Sequence, residues 1–291
     1  MGSTGSVAIR GARWKASSPG LLYWGAVTPL FLGDPESSIL GIWSRPSGPI
    51  DRDHGVVICP PIGQEHVRTH WALRQAESAL SRAGFHCLRF DWFGVGDSAG
   101  DLRDASLARW RADLSCAARA LRDAAGVQEV SLVGLRVGAS LAALGAAAVQ
   151  PSAIVLWDPV VEGRRYLAEL ERLTQALATD RLRYWEIDRA RRVPAGELVG
   201  FDLGARLPAE LGEIDLGAGE MVPRVPLCLL RSSDDGELEA FGRRLQGSHR
   251  GVVVRDTAAR ASWTRLDDVE RLLLPGDAIG AITEFLEARA A

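Results

Sequence analysis

VQEVSLVGLRVGASLAALGAAAVQ, residues 127–150, is the stretch whose reading decides the fold. Its first part, 127–134, is a short apolar run, the pattern of a strand buried in a sheet. Its last part, 138–150, is built of small residues and reads as a helix able to pack close to that sheet. Between them stand Gly134-Leu135-Arg136-Val137-Gly138. Strand, then glycine, two apart from a middle residue and four from a second glycine, then helix is the frame of the nucleophile elbow. The glycines answer a steric demand, because the turn is tight and the helix must lie against neighbouring strands. Enzymes that use this turn place a serine in the middle. Here the middle residue is Arg136, whose guanidinium stays protonated and is no nucleophile.

Outward from this motif, strands and helices alternate. Residues 21–45 read as one or two strands with GDPESS as a turn, and HGVVICPP (54–61) as a buried parallel strand closed by two prolines. A helix is expected over 71–84, a strand over 85–92, and an amphipathic helix over 104–126 with Asp104 as N-cap and Gly126 as stop. A strand follows at 152–160. The alternation then lapses into a long charged helix and an irregular segment. It resumes with a strand at 225–235, a helix near 236–246, a strand at 251–256 and a final helix over 276–289. This predicts a mostly parallel sheet with helices on both faces. Residues 21–160 and 224–291 form the core, 161–223 a cap inserted over the carboxyl edge, and 1–20, rich in Gly and Ser, a flexible N-terminus. The carboxyl edge of such a sheet carries the ligand site.

The rest of a serine triad is also incomplete. On this arrangement the order is Ser, then Asp or Glu, then His after the last strand. The five histidines are His54, His66, His70, His86 and His249, and none follows Asp256. The acid position survives in Asp234 and Asp235. A second match to G-x-S-x-G, Gly96 to Gly100 with Ser98 in the middle, has the wrong context. The strand before it ends near Trp92 and no apolar helix follows, so Ser98 reads as part of a structural loop.

From about residue 28 onward the chain resembles the α/β-hydrolase family, in the branch of exosortase-A-associated hydrolases and serine aminopeptidase relatives. The residues carrying the resemblance are Pro60 to Glu65 (PPIGQE), Arg89-Phe90-Asp91 with Gly94 to Ser98, Gly134 to Ala139 (GLRVGA), and Leu156 to Val161 (LWDPVV) with Gly163 and Tyr166. The resemblance implies the α/β-hydrolase fold, the position of the pocket, and GLR in place of G-x-S as a habit of the branch. It also implies a setting in exopolysaccharide or natural-product biosynthesis. It implies no particular reaction.

Several residues are candidates for the site. Arg136 would stand at a helix N-terminus, already an electropositive place, and offers a fork for carboxylate or phosphate. Its partner is either a substrate anion or a carboxylate of the protein (Asp234, Asp235, Glu65 or Asp158), which would make it a structural plug. Ile62, Gly63 and Gln64 lie where one oxyanion-hole N–H arises, and Val137 supplies the other. Leu135 flanks the turn. Glu65 and His66 are acid/base candidates by loop position, and Trp92, Asp158 and Trp185 candidate pocket residues. His66 and His70 share a helix face if the helix starts early, but a metal site lacks a third ligand. Trp14, Trp24, Trp43, Trp110 and Trp263 read as core or surface anchors.

Composition narrows the function classes. Net charge is -3, which argues against a general nucleic-acid binder. No stretch is apolar for long enough to span a membrane, and no signal core is evident, so a cytoplasmic location is expected. Cys59, Cys87, Cys116 and Cys228 have neither metal-site nor disulfide-scaffold spacing, and Cys59, Cys87 and Cys228, in apolar strand-like runs, read as buried free thiols. No cofactor is expected. The expected ligand is a small molecule or a peptidyl or acyl substrate bearing a carbonyl or carboxylate, handled non-covalently. The alternatives are a non-catalytic binding or partner protein, and an ester, amide or thioester hydrolase acting through another site. The oligomeric state is open, a homodimer included.

Overall fold

The computed structural model describes residues 27–180, 193–218, 224–248, 251–258, 261–263, 265 and 276–290. The first half runs β1 (Val27–Leu32), β2 (Ile39–Ser44), β3 (His54–Cys59), α1 (Gly63–Arg82), β4 (His86–Phe90), α2 (Leu107–Ala125), β5 (Glu129–Leu135), α3 (Val137–Val149) and β6 (Ile154–Trp157). Then come α4 (Gly163–Ala178), a hairpin of β7 (Glu197–Leu198) and β8 (Phe201–Asp202), and α5 (Arg206–Leu211). The chain closes with β9 (Leu227–Arg231), α6 (Gly236–Ser248), β10 (Val252–Asp256) and α7 (Gly276–Glu287).

Among the described residues, eight strands form one sheet in the order β1-β2-β4-β3-β5-β6-β9-β10. β2 pairs antiparallel with β1 and β4, and every other pairing is parallel. The apolar runs have a simple cause. All residues of β3 and β6, and all of β5 after Glu129, are buried, because these strands are covered on both faces. In β3, Val56 and Ile58 face a core with Leu73 and Leu80 of α1 and Phe285 of α7. Val57 and Cys59 face the opposite core, with Leu114 of α2, Leu141 of α3 and Phe241 of α6. Helices on both faces of a mostly parallel sheet are what the alternation of elements predicted.

Element boundaries depart from the sequence reading in two informative places. α1 begins at Gly63, eight residues before the expected start. Its first turns, GQEHVRTH, are too polar to show an apolar period, yet Glu65, Arg68 and Thr69 are buried there. In α2 the N-cap is Ser106, whose Oγ accepts from the N–H of Arg109, whereas Asp104 ends a short 3-10 turn. Gly126 stops the helix at φ 75°, as expected.

Register lines up the carboxyl ends of the central strands. Cys59 is opposite Gly134, Leu135 opposite Trp157, and Trp157 opposite Leu230. The segments just beyond them therefore share one edge: Pro60 to Glu65, Arg136, Asp158, and Ser232 to Asp235.

Candidate functional site

The elbow keeps its geometry around the wrong residue for a nucleophile. Arg136 sits between β5 and α3 at φ 54° and ψ -125°. A non-glycine residue held at positive φ costs about 1–3 kcal/mol and persists only where its surroundings enforce it. Here its N–H donates to the Trp157 carbonyl at 3.0 Å, and its carbonyl accepts from Ala139 N–H at 3.0 Å and Ser140 N–H at 3.2 Å. The glycines are required by contact. A Cβ at Gly134 would lie 2.4 Å from Ala139 Cα, and one at Gly138 would lie 2.3 Å from the carbonyl oxygens of Cys59 and Pro60.

The Arg136 side chain is buried. Its Nε donates to Glu65 Oε1 at 2.9 Å, and its Nη1 approaches the Asp158 backbone carbonyl at 3.4 Å. The guanidinium carbon lies 5.5 Å from the ring centre of Tyr166 and 5.1 Å from that of Trp263. Burial by itself favours loss of the proton, but Glu65 foremost, with Tyr166 and Asp158, holds the group above its ordinary range. Arg136 is therefore a fixed cation. Burial pushes the Tyr166 phenol well up, and Glu65 adds to this, so Tyr166 is a neutral donor, 3.4 Å from Glu65 Oε2. Among the described residues no acceptor meets Nη2 of Arg136, and the residue borders an open cleft.

Trp263 is the site residue that the sequence reading passed over as an anchor. It follows β10, the place where this triad order puts its histidine. Its indole N–H donates to Asp158 Oδ2 at 2.9 Å, as an imidazole N–H would to the triad acid. The fully buried Asp158 carboxylate also accepts from Ser232 N–H at 2.8 Å and Ser232 Oγ at 2.5 Å. An indole nitrogen donates but cannot take up a proton, so this pairing supplies no base. What it does supply is a wall: the ring lies between Arg136 at 5.1 Å and Arg68 at 5.4 Å, and Arg68 donates to the Ser262 carbonyl at 3.0 Å. A tryptophan in the histidine loop was the available signal.

The other candidates divide. Ile62, Gly63, Gln64 and Glu65 line a small closed cavity with Arg68, Tyr166, Trp263 and the apolar side chains of Leu170, Leu173, Leu198, Val199 and Leu203. Its volume is about 20 Å³, room for about one water. Val137 opens α3, so its N–H has no partner within the helix. Asp234 and Asp235 border the open cleft, and Asp235 accepts from Arg165 at 2.9 Å. Arg136 takes Glu65 as its carboxylate partner, not Asp234 or Asp235, and takes only the backbone of Asp158.

Three candidates lie elsewhere. His66 turns away toward Asp91, 3.7 Å from its carboxylate, and lines neither cavity. Burial lowers its pKa, with Asp91 opposing. Trp92 is fully buried in the core against Phe90 and Trp110, and its Nε1 donates to the Pro60 carbonyl at 2.8 Å, bracing the loop after β3. Leu135 is likewise buried in the core. Trp185 lies outside the described residues. Ser98 is held in its loop, its Oγ donating to the Asp91 carbonyl at 2.7 Å and accepting from Leu40 N–H at 2.9 Å. Among the described residues no group of three or more His, Cys, Asp or Glu side chains is placed to hold a metal ion, and no helix is long and apolar enough to cross a membrane.

The open cleft has a volume of about 430 Å³ and is bordered by Arg136, Arg165, Glu169, Ser233 to Asp235, and residues 261–263 and 265. No protein-family model matches the chain, and no curated protein does. Solved structures do. An esterase from Pyrococcus furiosus aligns with a TM-score of 0.63 at 16% identity, over 91% of this chain and 91% of its own. A serine hydrolase without lid from Xanthomonas campestris aligns at 0.58 and 16%, over 92% and 97%. A proline iminopeptidase from Mycobacterium smegmatis aligns at 0.60 and 13%, over 90% and 99%. The chain has the α/β-hydrolase fold. At these identities the likeness establishes the α/β-hydrolase architecture and no activity. Arg136 occupies the turn between β5 and α3 of that architecture, and Trp263 the segment after its last strand.

Proposed function

We propose that this protein binds a small carboxylate- or acyl-bearing molecule non-covalently in the cleft beside Arg136 and forms no serine acyl-enzyme. One observation carries the reading: a buried, permanently charged guanidinium stands in the elbow, and Arg136 borders a cleft of about 430 Å³. Glu65 holds Nε, so the cation is oriented before any ligand arrives. A charge-assisted pair to a ligand carboxylate would complete its donor set. In this reading the N–H groups after β3 and at Val137 would serve a polarised carbonyl or an enolate. In this reading residues 161–223 act as a cap, since α4 and the hairpin contribute most of the apolar wall of the closed cavity. The resemblance to the exosortase-A-associated branch supports a biosynthetic intermediate as such a ligand.

A second reading, a non-catalytic partner protein, is favoured by the Arg136–Glu65 pair itself and by the closure of the neighbouring cavity to about 20 Å³. Two measurements decide. A fluorophosphonate probe is expected to label no serine; stoichiometric labelling would restore the hydrolase reading. Ligand-observed NMR with a panel of simple carboxylates, hexanoate among them, is expected to show binding that Arg136→Gln abolishes. Equal binding by the folded variant removes Arg136 from recognition.

A further inference from the structure

Two spaces adjoin the Arg136–Glu65 pair, and they differ in character. The open cleft, about 430 Å³, is bordered mostly by polar and charged residues, among them Arg165, Glu169 and Asp235. The closed cavity, about 20 Å³, has an apolar wall of Leu170 and Leu173 from α4 and Leu198, Val199 and Leu203 in and beside the hairpin. Among the described residues, Trp263 is the one that lines both spaces. Its ring lies 5.1 Å from Arg136, which borders the cleft, and 5.4 Å from Arg68, which borders the cavity. The ion pair continues the partition, with Arg136 on the cleft and Glu65 on the cavity. Trp263 is also pinned. Asp158 Oδ2 holds its indole N–H at 2.9 Å, and the N–H and hydroxyl of Ser232 fix Asp158 in turn. The Ser232 oxygen accepts from Trp157 Nε1 at 2.9 Å, so its own proton is committed to Asp158. Swinging the ring aside would take a donor from a fully buried carboxylate, so the partition is fixed and is not a gate.

We infer that Trp263 sets the size class of the ligand: it bars a ligand held at Arg136 from the apolar space beneath α4 and the hairpin, and so restricts the site to short carboxylates. The inference rests on the proposed anion-binding role of Arg136 and adds a length limit to it. Methylene groups added to such a ligand stay in the cleft, among charged side chains and solvent, and gain little from burial. With the indole removed, its volume joins the cavity. Each methylene group that then leaves water raises the affinity about fourfold, the usual gain for burying one.

The test uses the full chain and compares hexanoate with octanoate in ligand-observed NMR titrations. The parent protein is expected to bind octanoate no more than about threefold more tightly than hexanoate, less than one buried methylene group would give. Trp263→Ala is expected to prefer octanoate by about tenfold or more, the scale of two buried methylene groups. Adding Leu173→Trp, which fills the cavity from α4, is expected to remove that preference. If the parent protein already prefers octanoate by about tenfold, the length limit is overturned and the anion site stands. The same holds if Trp263→Ala shows no preference while hexanoate binding still needs Arg136, or if the preference survives Leu173→Trp. If neither carboxylate binds the parent protein or Trp263→Ala, the anion site falls and the length limit with it. Trp263→His keeps an N–H for Asp158 on a smaller ring and serves should Trp263→Ala fail to fold. It is expected to prefer octanoate by about fourfold or more, and no preference there overturns the inference.

Discussion

At the scale of single residues, Arg136 and Glu65 are a buried pair whose members have unequal consequences when removed. Arg136→Ala strands the Glu65 carboxylate in the interior, a loss of about 3 kcal/mol or more in urea unfolding. Adding Glu65→Gln removes the stranded charge, and the double variant should recover at least about 1 kcal/mol of that loss, a coupling expected between contacting groups. Arg136→Gly should be more stable than Arg136→Ala by about 1 kcal/mol, because glycine adopts a φ of 54° without strain. Equal stabilities would mean that the elbow relaxes once the arginine is gone. The identity of Arg136 was plain in the sequence. The choice of partner was not: four carboxylates were eligible, and Glu65 lies 71 positions away, joined to Arg136 only through the pairing of β3 with β5.

At the scale of elements, two glycines separate steric contact from backbone strain. Gly138, the second residue of α3, packs against the end of β3 and the loop after it, and a methyl group there would run into two backbone carbonyls that cannot swing aside. Gly138→Ala should therefore lower stability by about 3 kcal/mol, the upper end for overpacking, and should disturb the Arg136 environment. Gly126 has nothing near its absent Cβ, so Gly126→Ala should lose only the cost of its φ of 75°, about 1 kcal/mol. Thermal or urea melts of both variants check the ranking. The helix stop at Gly126 was legible because the αL requirement is local. The start of α1 was not, since its first turns are polar and are ordered by burial against the site and not by their own periodicity.

At the scale of the whole molecule, stability should fall on the acid side of neutrality. His54 sits at the amino ends of the strands, with Nε2 2.9 Å from Ser131 Oγ and 3.3 Å from Ser152 Oγ, and burial lowers its pKa below the usual 6.5. Burial does the same to His66. Each group binds a proton more readily in the unfolded chain than in the folded one. The stability they confer is therefore present above about pH 6.5 and is lost as the pH falls below it toward their folded values. The slope contributed by each is at most about 1.4 kcal/mol per pH unit. Asp113 and Glu237, whose carboxyls burial raises, act in the opposite sense, so the histidine contribution is read from the difference between parent and His variant between about pH 5 and 7.5. Urea melts across that window should show a shallower decline for His54→Gln than for the parent chain. Parallel curves would remove His54 as a source of the dependence.

Taken by itself, the sequence determined the layered α/β architecture, the elbow and the arginine within it. Apolar runs, helical periods and glycine frames are local consequences of strand burial, helix packing and tight turns, and they survive in one dimension. Tertiary structure alone decided that Glu65 holds Arg136, that Trp263 stands in the histidine loop against Asp158, and that His66 and Trp92 turn away from the cleft. These depend on which segments the strand register brings to one edge and on which way each side chain points there. Contacts between residues far apart in the chain leave no periodic trace, because their cause is the meeting of elements and not the pattern within any one of them.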